Sequence, residues 1–268
     1  MSEHDKFNVI DEKIDHFLGH MDIVYQVVPA TSFGFAAVII SSSAILISLL
    51  LYLTVDPTFS IFTHWISNLG SGPNGSNIVF NVGIAITSML LFLFYMYFIK
   101  DFRKKKGKKI LVDLFFVSTC INCFGLFFVA IFPYTIPFLH GIAAFAFFIG
   151  GFISSILYAI LILLTKGSNK ILAVFSFIAT GFCGFHLINS VIIAQYIGIE
   201  EGVAQFTEWL TLFAMLALVI EIGFYQITEK KIFYKKLNNR IIDMNYFNPR
   251  NIIKLRKFIK SLYQKKEH

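Results

Sequence analysis

Long apolar runs, separated by short polar segments, cover most of the chain. Six runs are long enough to cross a hydrocarbon core, which needs about 20 residues of α-helix. They comprise residues 31–55, 78–99, 110–132, 139–164, 171–197 and 206–228. The pattern therefore predicts an all-α integral membrane protein in which residues 31–228 form a bundle of six transmembrane helices.

The segment before the first run, residues 1–30, is polar and acidic but has a helical spacing of apolar residues. These residues are Ile10, Ile14, Phe17, Leu18 and Met21. Such a spacing predicts an amphipathic helix at the membrane interface. The first residues are acidic where a secretory signal peptide would be basic, so we expect the first apolar run to remain as a membrane anchor.

The segment after the last run, residues 229–268, is a basic tail with twelve Lys and Arg residues and three acidic ones. From Pro249 onward its apolar residues alternate with lysines, which predicts a second amphipathic helix. Anionic membrane lipids are the expected partner of such a tail. Nucleic acid is the competing interpretation of the charge. We expect no nucleic-acid binding, because lipid accounts for the charge, and the sequence indicates no protein partner.

The composition supports the membrane assignment. Of the 268 residues, 56% are hydrophobic and 15% are charged, whereas about a quarter are charged in an ordinary soluble domain. The three cysteines, Cys120, Cys123 and Cys183, fall inside predicted spans. We interpret them as small buried hydrophobic residues rather than as a disulfide framework.

The distribution of Lys and Arg predicts the orientation in the cell membrane. None of these residues occurs in the loops 56–77, 133–138 and 198–205, which follow the first, third and fifth spans. Because short basic loops are retained in the cytoplasm, these three loops are expected outside. The N- and C-termini of this multi-pass protein are then cytoplasmic.

Polar residues inside the spans are concentrated in the predicted outer half. They are Asn77 and Asn81 in the second span, Asn122 in the third, His140 in the fourth, His186, Asn189 and Ser190 in the fifth, and Glu208 in the sixth. A polar side chain in hydrocarbon costs free energy unless it faces a partner or a wet cavity. With His64, Ser67 and Asn68 of the first outer loop, these residues are expected to converge on one pocket open to the exterior.

Two interpretations of these polar residues remain open. As a functional site, Asn68, Asn77, Asn81, His140 and His186 are the candidate ligand-binding residues, and His140, His186 and Glu208 are the candidate catalytic residues. Alternatively, each residue only hydrogen-bonds a neighbouring helix. Asn68 and Asn81 are predicted to face His140, and the intervening glycines, among them Gly70 and Gly72, are interpreted as hinges of a lid.

Several chemistries lack a sequence signature. For zinc the available set is His64, His140, His186 and Glu208, but no two have a recognised ligand spacing, so neither a metal nor another cofactor is predicted. There is no GxSxG, phosphate-binding glycine loop or paired-carboxylate motif. Nucleophilic catalysis requires a Ser or Cys beside a base, and Ser67, Ser190 and Cys123 are conceivable candidates without a supporting motif.

Three stretches resemble a known family. They are WISNLGSGPNGSNIVFNVGIAITSMLLFLFYMYF, FPYTIPFLHGIAAFAFFIGGFISSILYA and TEWLTLFAMLALV. Together, over about residues 30–228, they resemble the prokaryotic six-helix membrane family of domain of unknown function 998. Its hallmarks are an I-S-[DEN]-L-G loop, an F-N-x-G in the second span and a His opening the fourth span. Ser67, Leu69, Gly70, Phe80, Asn81, Gly83, Pro133 and His140 match, and Asn68 stands where an acid is frequent.

The resemblance extends more remotely to the eukaryotic FRAG and DRAM membrane proteins, some of which are tied to lipid-anchor remodelling. It implies a lipid-related function and identifies no reaction. The enrichment in Ile, Phe, Lys and Asn indicates a bacterial or archaeal source. Three functions are therefore considered. The first is an outward-facing polar site that binds or modifies a lipid headgroup or lipid-linked molecule. The second is a non-catalytic membrane organiser or partner subunit, and the third is a transporter of a small solute or protons that uses Glu221.

Overall fold

The computed structural model describes residues 3–104, 108–193 and 201–242, with side chains from Glu12 to Ile227 apart from two gaps at 105–107 and 191–201. The elements are seven α-helices and two short irregular helices. The α-helices are α1 (Glu3–Val27), α2 (Ala30–Leu53), α3 (Ser76–Lys104), α4 (Lys109–Ile131), α5 (Pro137–Leu164), α6 (Ile171–Leu187) and α7 (Glu201–Ile242). A 3₁₀ helix, Ile66–Ser71, lies between α2 and α3, and a π-helical segment, Ile188–Ile193, continues α6.

Six of these helices, α2 to α7, contain segments long and apolar enough to cross a membrane. The predicted all-α fold with six spans is therefore confirmed, and no strand occurs in the described ranges. The helical bounds differ from the apolar runs at charged ends. Helix α3 continues to Lys104, five residues beyond the apolar run, because its basic residues pair with carboxylates instead of ending the helix.

The six spanning helices form a closed ring. Each packs on its neighbour in sequence, and α7 packs on α2. The α4–α5 contact is close because Gly125 and Gly150 have no side chain at the crossing. A Cβ at Gly150 would be 2.5 Å from the backbone nitrogen of Asn122, and a Cβ at Gly125 would collide with the backbone of Phe147. Small residues let helices approach closely in lipid.

Helix α1 packs against the last part of α3. Arg103 bridges Asp15 of α1 and Asp113 of α4, at N–O distances of 2.7 and 2.5 Å, and Lys100 pairs with Asp22. The Tyr25 hydroxyl donates a 2.6 Å hydrogen bond to the Leu93 carbonyl. Burial, with a smaller effect of Asp22, raises the pKa of Tyr25. Helix α1 is therefore attached to the bundle by charges as well as by its apolar face.

Helix α7 is continuous from the membrane span into the basic tail, as far as Ile242. The amphipathic helix predicted from Pro249 onward falls outside the described residues. Its binding to anionic lipid, the orientation of both termini and the position of α1 at the lipid interface all remain predictions.

Candidate functional site

The loop between α2 and α3, residues 54–75, is a folded element held by its own polar side chains. The Trp65 N–H donates a 2.7 Å hydrogen bond to Oδ1 of Asn68, and the Asn68 N–H donates to the Trp65 carbonyl at 3.1 Å. Asn81 on α3 donates from Nδ2 to the Gly70 carbonyl at 3.0 Å. Asn68 therefore starts the 3₁₀ helix, and Asn81 fastens that helix to α3.

The interpretation of Gly70 and Gly72 as hinges is wrong, because both are close-contact positions. A Cβ at Gly70 would be 2.6 Å from Oδ1 of Asn81, and one at Gly72 would be 2.5 Å from the Tyr52 ring. The glycines let the loop approach α2 and α3. A loop packed in this way is part of the scaffold.

The same loop is joined to the beginning of α7. Glu208 Oε2 accepts a 2.8 Å hydrogen bond from the Ile66 N–H, and the Trp209 Nε1–H donates to the His64 carbonyl at 3.0 Å. The rings of Phe62 and Phe206 stack with centroids 5.1 Å apart. These contacts place Glu208 under the loop, at the end of the bundle where α5 begins and α6 ends.

A cavity of about 230 Å³ lies at this end of the bundle. Its walls come from the loop, the α4–α5 connection, α5, α6 with its π-helical continuation, and α7. The lining residues are Trp65, Ser67, Tyr134, His140, Gly141, Ala144, Phe145, Phe148, His186, Leu187, Ser190 and Glu208. The volume equals that of roughly eight liquid water molecules at about 30 Å³ each, so the cavity accommodates a small polar group.

His140, at the beginning of α5, is 6% exposed. Its Nδ1 lies 2.8 Å from the carbonyl oxygen of Phe132, at the end of α4. Because a carbonyl only accepts, this nitrogen carries the proton. In the neutral ring Nε2 is then an acceptor, and the ring lies edge-on to Tyr134 with centroids 5.8 Å apart.

His186, near the end of α6, is held in a similar way and is 3% exposed. Its Nδ1 lies 3.0 Å from the Thr207 hydroxyl oxygen, and that hydroxyl donates its own proton to the Ala204 carbonyl. The His186 Nδ1 is therefore the donor, and Nε2 is again an acceptor in the neutral ring.

Ser190 does not form a serine–histidine nucleophile with His186. Its Oγ is almost equidistant from the two ring nitrogens, 3.3 Å from Nδ1 and 3.2 Å from Nε2, so it is not aligned with the lone pair of Nε2. Its hydroxyl proton goes to the His186 carbonyl. Activation of a serine requires an aligned base that takes this proton.

Glu208 is 5% exposed and forms no ion pair with any side chain that the structure describes. The sequence has no Lys or Arg between Lys13 and Lys100, between Lys109 and Lys166 or between Lys170 and Lys230. The elements around the cavity therefore contain no basic side chain that could neutralise Glu208. A buried carboxylate without an ion pair is costly. Hydrogen bonds from the Ile66 N–H and from Ser67 offset part of this cost, and protonation or a bound cationic group would offset more of it.

The structure brings together part of the predicted set. His140, His186 and Glu208, from three different helices, line one cavity with Ser67 and Ser190. Asn68 and Asn81 are committed to the loop, Asn77 is exposed at the start of α3, and His64 stacks on Phe59. Asn122 and Asn189 donate to the backbone carbonyls of Phe147 and Phe185. Asn68, Asn81, Asn122 and Asn189 therefore act as polar packing residues.

The sequence interpretation did not assign Trp65, Tyr134, Phe145 and Phe148 to the site. Trp65 and Tyr134 have the signal of interfacial aromatics, and the two phenylalanines are indistinguishable from the other Phe residues of an apolar span. Thr207, which fixes the His186 ring, lies one residue before Glu208, and this proximity is the only signal in the sequence.

Metal binding has little geometric support. No group of three His, Cys, Asp or Glu residues in the described ranges is close enough to hold a metal ion.

Towards the centre of the bundle, the cavities become much smaller. One of about 30 Å³ shares Ser67, His140 and Glu208 with the main cavity, and deeper ones have volumes of about 20 and 10 Å³. Such volumes hold one or two water molecules at most. Of the cavities lined by described residues, the ones deeper in the bundle are therefore much smaller than the one beneath the loop.

Comparisons with known proteins give one family. A family model described as "Protein of unknown function (DUF998)" matches residues 35–223, which is more than half of the chain. No curated protein and no solved structure matches the chain. The match includes most of α2, all of α3 to α6, most of the α7 span and every residue that lines the cavity.

Proposed function

Because the chain belongs to the DUF998 family of proteins of unknown function, we propose its function from the cavity itself: it binds the polar headgroup of a membrane lipid or of a lipid-linked small molecule. The observation that carries this proposal is the meeting of His140, His186 and Glu208 in one cavity. Three buried ionisable side chains from three helices are expensive to place in a membrane protein unless a ligand uses them.

The edge of the cavity supports access from the bilayer. Tyr134 and Phe145 line the cavity and are also 44% and 49% exposed on the surface of the bundle. Along the same helix, Phe138 and Ile142 are exposed apolar residues. A lipid bound here keeps its chains against this apolar surface while its headgroup enters between α5 and α6.

Binding is better supported than catalysis. The Ser190 hydroxyl is committed to a backbone carbonyl, and each imidazole is fixed by a hydrogen bond to a neutral partner. These are features of a rigid recognition site. A reaction would use His140 or His186 as a base, for which the Nε2 atoms are suitable, but it needs a nucleophile that these contacts do not supply.

The two other functions receive less support from the cavities. A non-catalytic organiser with polar residues as packing contacts predicts a dry bundle, and a cavity of about 230 Å³ argues against it. Transport requires polar groups along the whole depth. The inner cavities, of about 10 to 30 Å³, are too small for a solute.

Native mass spectrometry of the purified protein tests the proposal. The wild type is expected to retain a lipid or lipid-linked molecule from the host membrane, and His140→Ala and His186→Ala are expected to lose it. His20→Ala, a change of an exposed histidine in α1, is the matched control. Size-exclusion chromatography identifies variants that remain folded. If all folded variants retain the same adducts as the wild type, the proposal is wrong.

A further inference from the structure

The charge around the cavity selects against an anionic ligand. The cavity walls contain one carboxyl group and no Lys or Arg. Phosphate and carboxylate sites in proteins are formed by Arg, Lys or helix N-termini that offer donors. Two helices begin near this cavity. The N-terminal part of α7 contains Glu208, whose carboxyl accepts from the Ile66 N–H of the loop, and the beginning of α5 presents His140. A positive group is the complement of this site.

The three ionisable side chains of the cavity offer acceptors, while Tyr134 and Trp65, which also line it, carry an O–H and an N–H donor. The Nδ1–H groups of His140 and His186 are committed to Phe132 and Thr207, so each neutral ring offers the lone pair of Nε2. The Glu208 carboxylate accepts several hydrogen bonds and donates none. A primary ammonium group has three N–H donors and no acceptor, so its donors match these three side chains in number and kind.

Aromatic rings complete the surroundings of such a group. Phe148 and Trp65 lie beside His186, with centroids 4.2 and 6.3 Å from its ring, and Tyr134 lies beside His140. Aromatic faces attract cations, most strongly where water is excluded. They also cover the carbon atoms next to an amine without demanding hydrogen bonds.

From these three observations we propose that the cavity recognises a primary ammonium group, as found in an ethanolamine-type lipid headgroup or a free small amine. The ammonium group pairs with Glu208 and donates to the Nε2 atoms of His140 and His186. This inference rests on the proposed headgroup-binding function and specifies its ligand chemistry. It also offers a reason why Glu208 is buried without a basic partner among the side chains that the structure describes.

A methylation series separates hydrogen bonding from charge alone. Full-length protein is titrated with phosphatidylethanolamine, its N-monomethyl and N,N-dimethyl derivatives, phosphatidylcholine and phosphatidylglycerol of identical acyl chains, and bound lipid is counted by native mass spectrometry. Each methyl removes one donor. Hydrogen bonds to charged groups contribute about 1.5 to 3 kcal/mol, so phosphatidylethanolamine is expected to bind about tenfold or more above phosphatidylcholine. Phosphatidylglycerol is expected to bind weakest.

Glu208→Gln provides the variant test, and Glu221→Gln is its matched control. Both replace a carboxyl of α7 by an amide, and the 13 positions between them separate the two sites by about 20 Å along the helix. We expect Glu208→Gln to abolish the preference for phosphatidylethanolamine and Glu221→Gln to preserve it. Competition with free ethanolamine distinguishes the source of the amine. If free ethanolamine at equal concentration displaces the lipid, the ligand is a soluble amine; if the lipid stays bound, the ligand is the lipid.

The results separate this inference from the function it rests on. If phosphatidylcholine or phosphatidylglycerol binds best and His140→Ala abolishes that binding, ammonium recognition is wrong and headgroup binding stands. If neither His140→Ala nor His186→Ala changes any lipid titration, both proposals are wrong. Should His140→Ala fail to fold, His140→Asn, which keeps a donor and an acceptor at this position, takes its place.

Discussion

Glu208 Oε2 accepts a 2.8 Å hydrogen bond from the backbone N–H of Ile66, a residue 142 positions earlier in the chain. One side chain therefore joins the loop of residues 54–75 to α7 and lines the cavity beneath that loop. Its proposed role in ligand binding is therefore coupled to its role in stability. Suitable substitutions separate the two contributions.

Replacement of Glu208 by Ala is expected to lower the free energy of unfolding by about 2 kcal/mol, because the buried Ile66 N–H loses its acceptor. Glu208→Gln retains an acceptor oxygen and is expected to cost less than about 1 kcal/mol. Thermal unfolding of both variants in the same detergent measures the difference. Equal destabilisation would mean that this hydrogen bond does not hold the loop.

Asn68 contributes an acceptor oxygen to the Trp65 N–H. An Asp supplies the same oxygen, so Asn68→Asp is expected to leave the loop intact. Asn68→Ala is expected to destabilise the protein by about 1 kcal/mol, as loss of a helix cap does. Limited proteolysis of the loop compares the three proteins. Cleavage of the Asp variant as fast as the Ala variant would contradict this role.

The α4–α5 crossing depends on Gly125, where a Cβ would collide with the Phe147 backbone. We expect Gly125→Ala to destabilise the protein by about 1 to 3 kcal/mol through overpacking. Gly181→Ala is the matched control, because a Cβ on Gly181 meets nothing within 4 Å. Thermal unfolding of the two variants is compared with that of the wild type. A Gly125→Ala protein as stable as Gly181→Ala would show that the crossing can open without cost.

The predicted orientation places the α2–α3 loop outside the cell and the α5–α6 loop inside. Thr58→Cys and Lys166→Cys introduce cysteines at exposed positions of these two loops. A membrane-impermeant maleimide is expected to label Thr58→Cys in intact cells and Lys166→Cys only after permeabilisation. The reverse pattern would place both the loop and the cavity on the cytoplasmic side, and the orientation predicted by the basic residues would be wrong.

The spans were predictable because an apolar run of about 20 residues has few structures available to it in a membrane. The ends of the helices were less predictable from the sequence. The sequence does not reveal that Arg103 has partners in Asp15 and Asp113, and these partners allow α3 to extend beyond its apolar run. The 3₁₀ helix of Ile66–Ser71 depends on the side chain of Asn68, a contact that periodicity does not describe.

The candidate site was predictable in part for a similar reason. Depth along a span is encoded in the sequence, so His140, His186 and Glu208 were expected at the same level. Helix rotation and close backbone approach decide which polar residues face a cavity. Asn81 faces the Gly70 carbonyl because Gly70 allows the loop to approach α3. Asn81 is therefore a packing residue in the structure, although the sequence made it a candidate ligand-binding residue.

Photo-crosslinking determines whether a lipid headgroup occupies the cavity of His140, His186 and Glu208. A phospholipid with a diazirine in its headgroup is irradiated with the protein in nanodiscs, and the adducts are mapped by peptide mass spectrometry. We expect adducts concentrated in residues 134–148 and 182–190 and reduced in the His140→Ala and His186→Ala double variant. Adducts spread equally over exposed apolar residues of α2 and α3, such as Leu46 and Ile86, and unchanged in the double variant would contradict headgroup binding in this cavity.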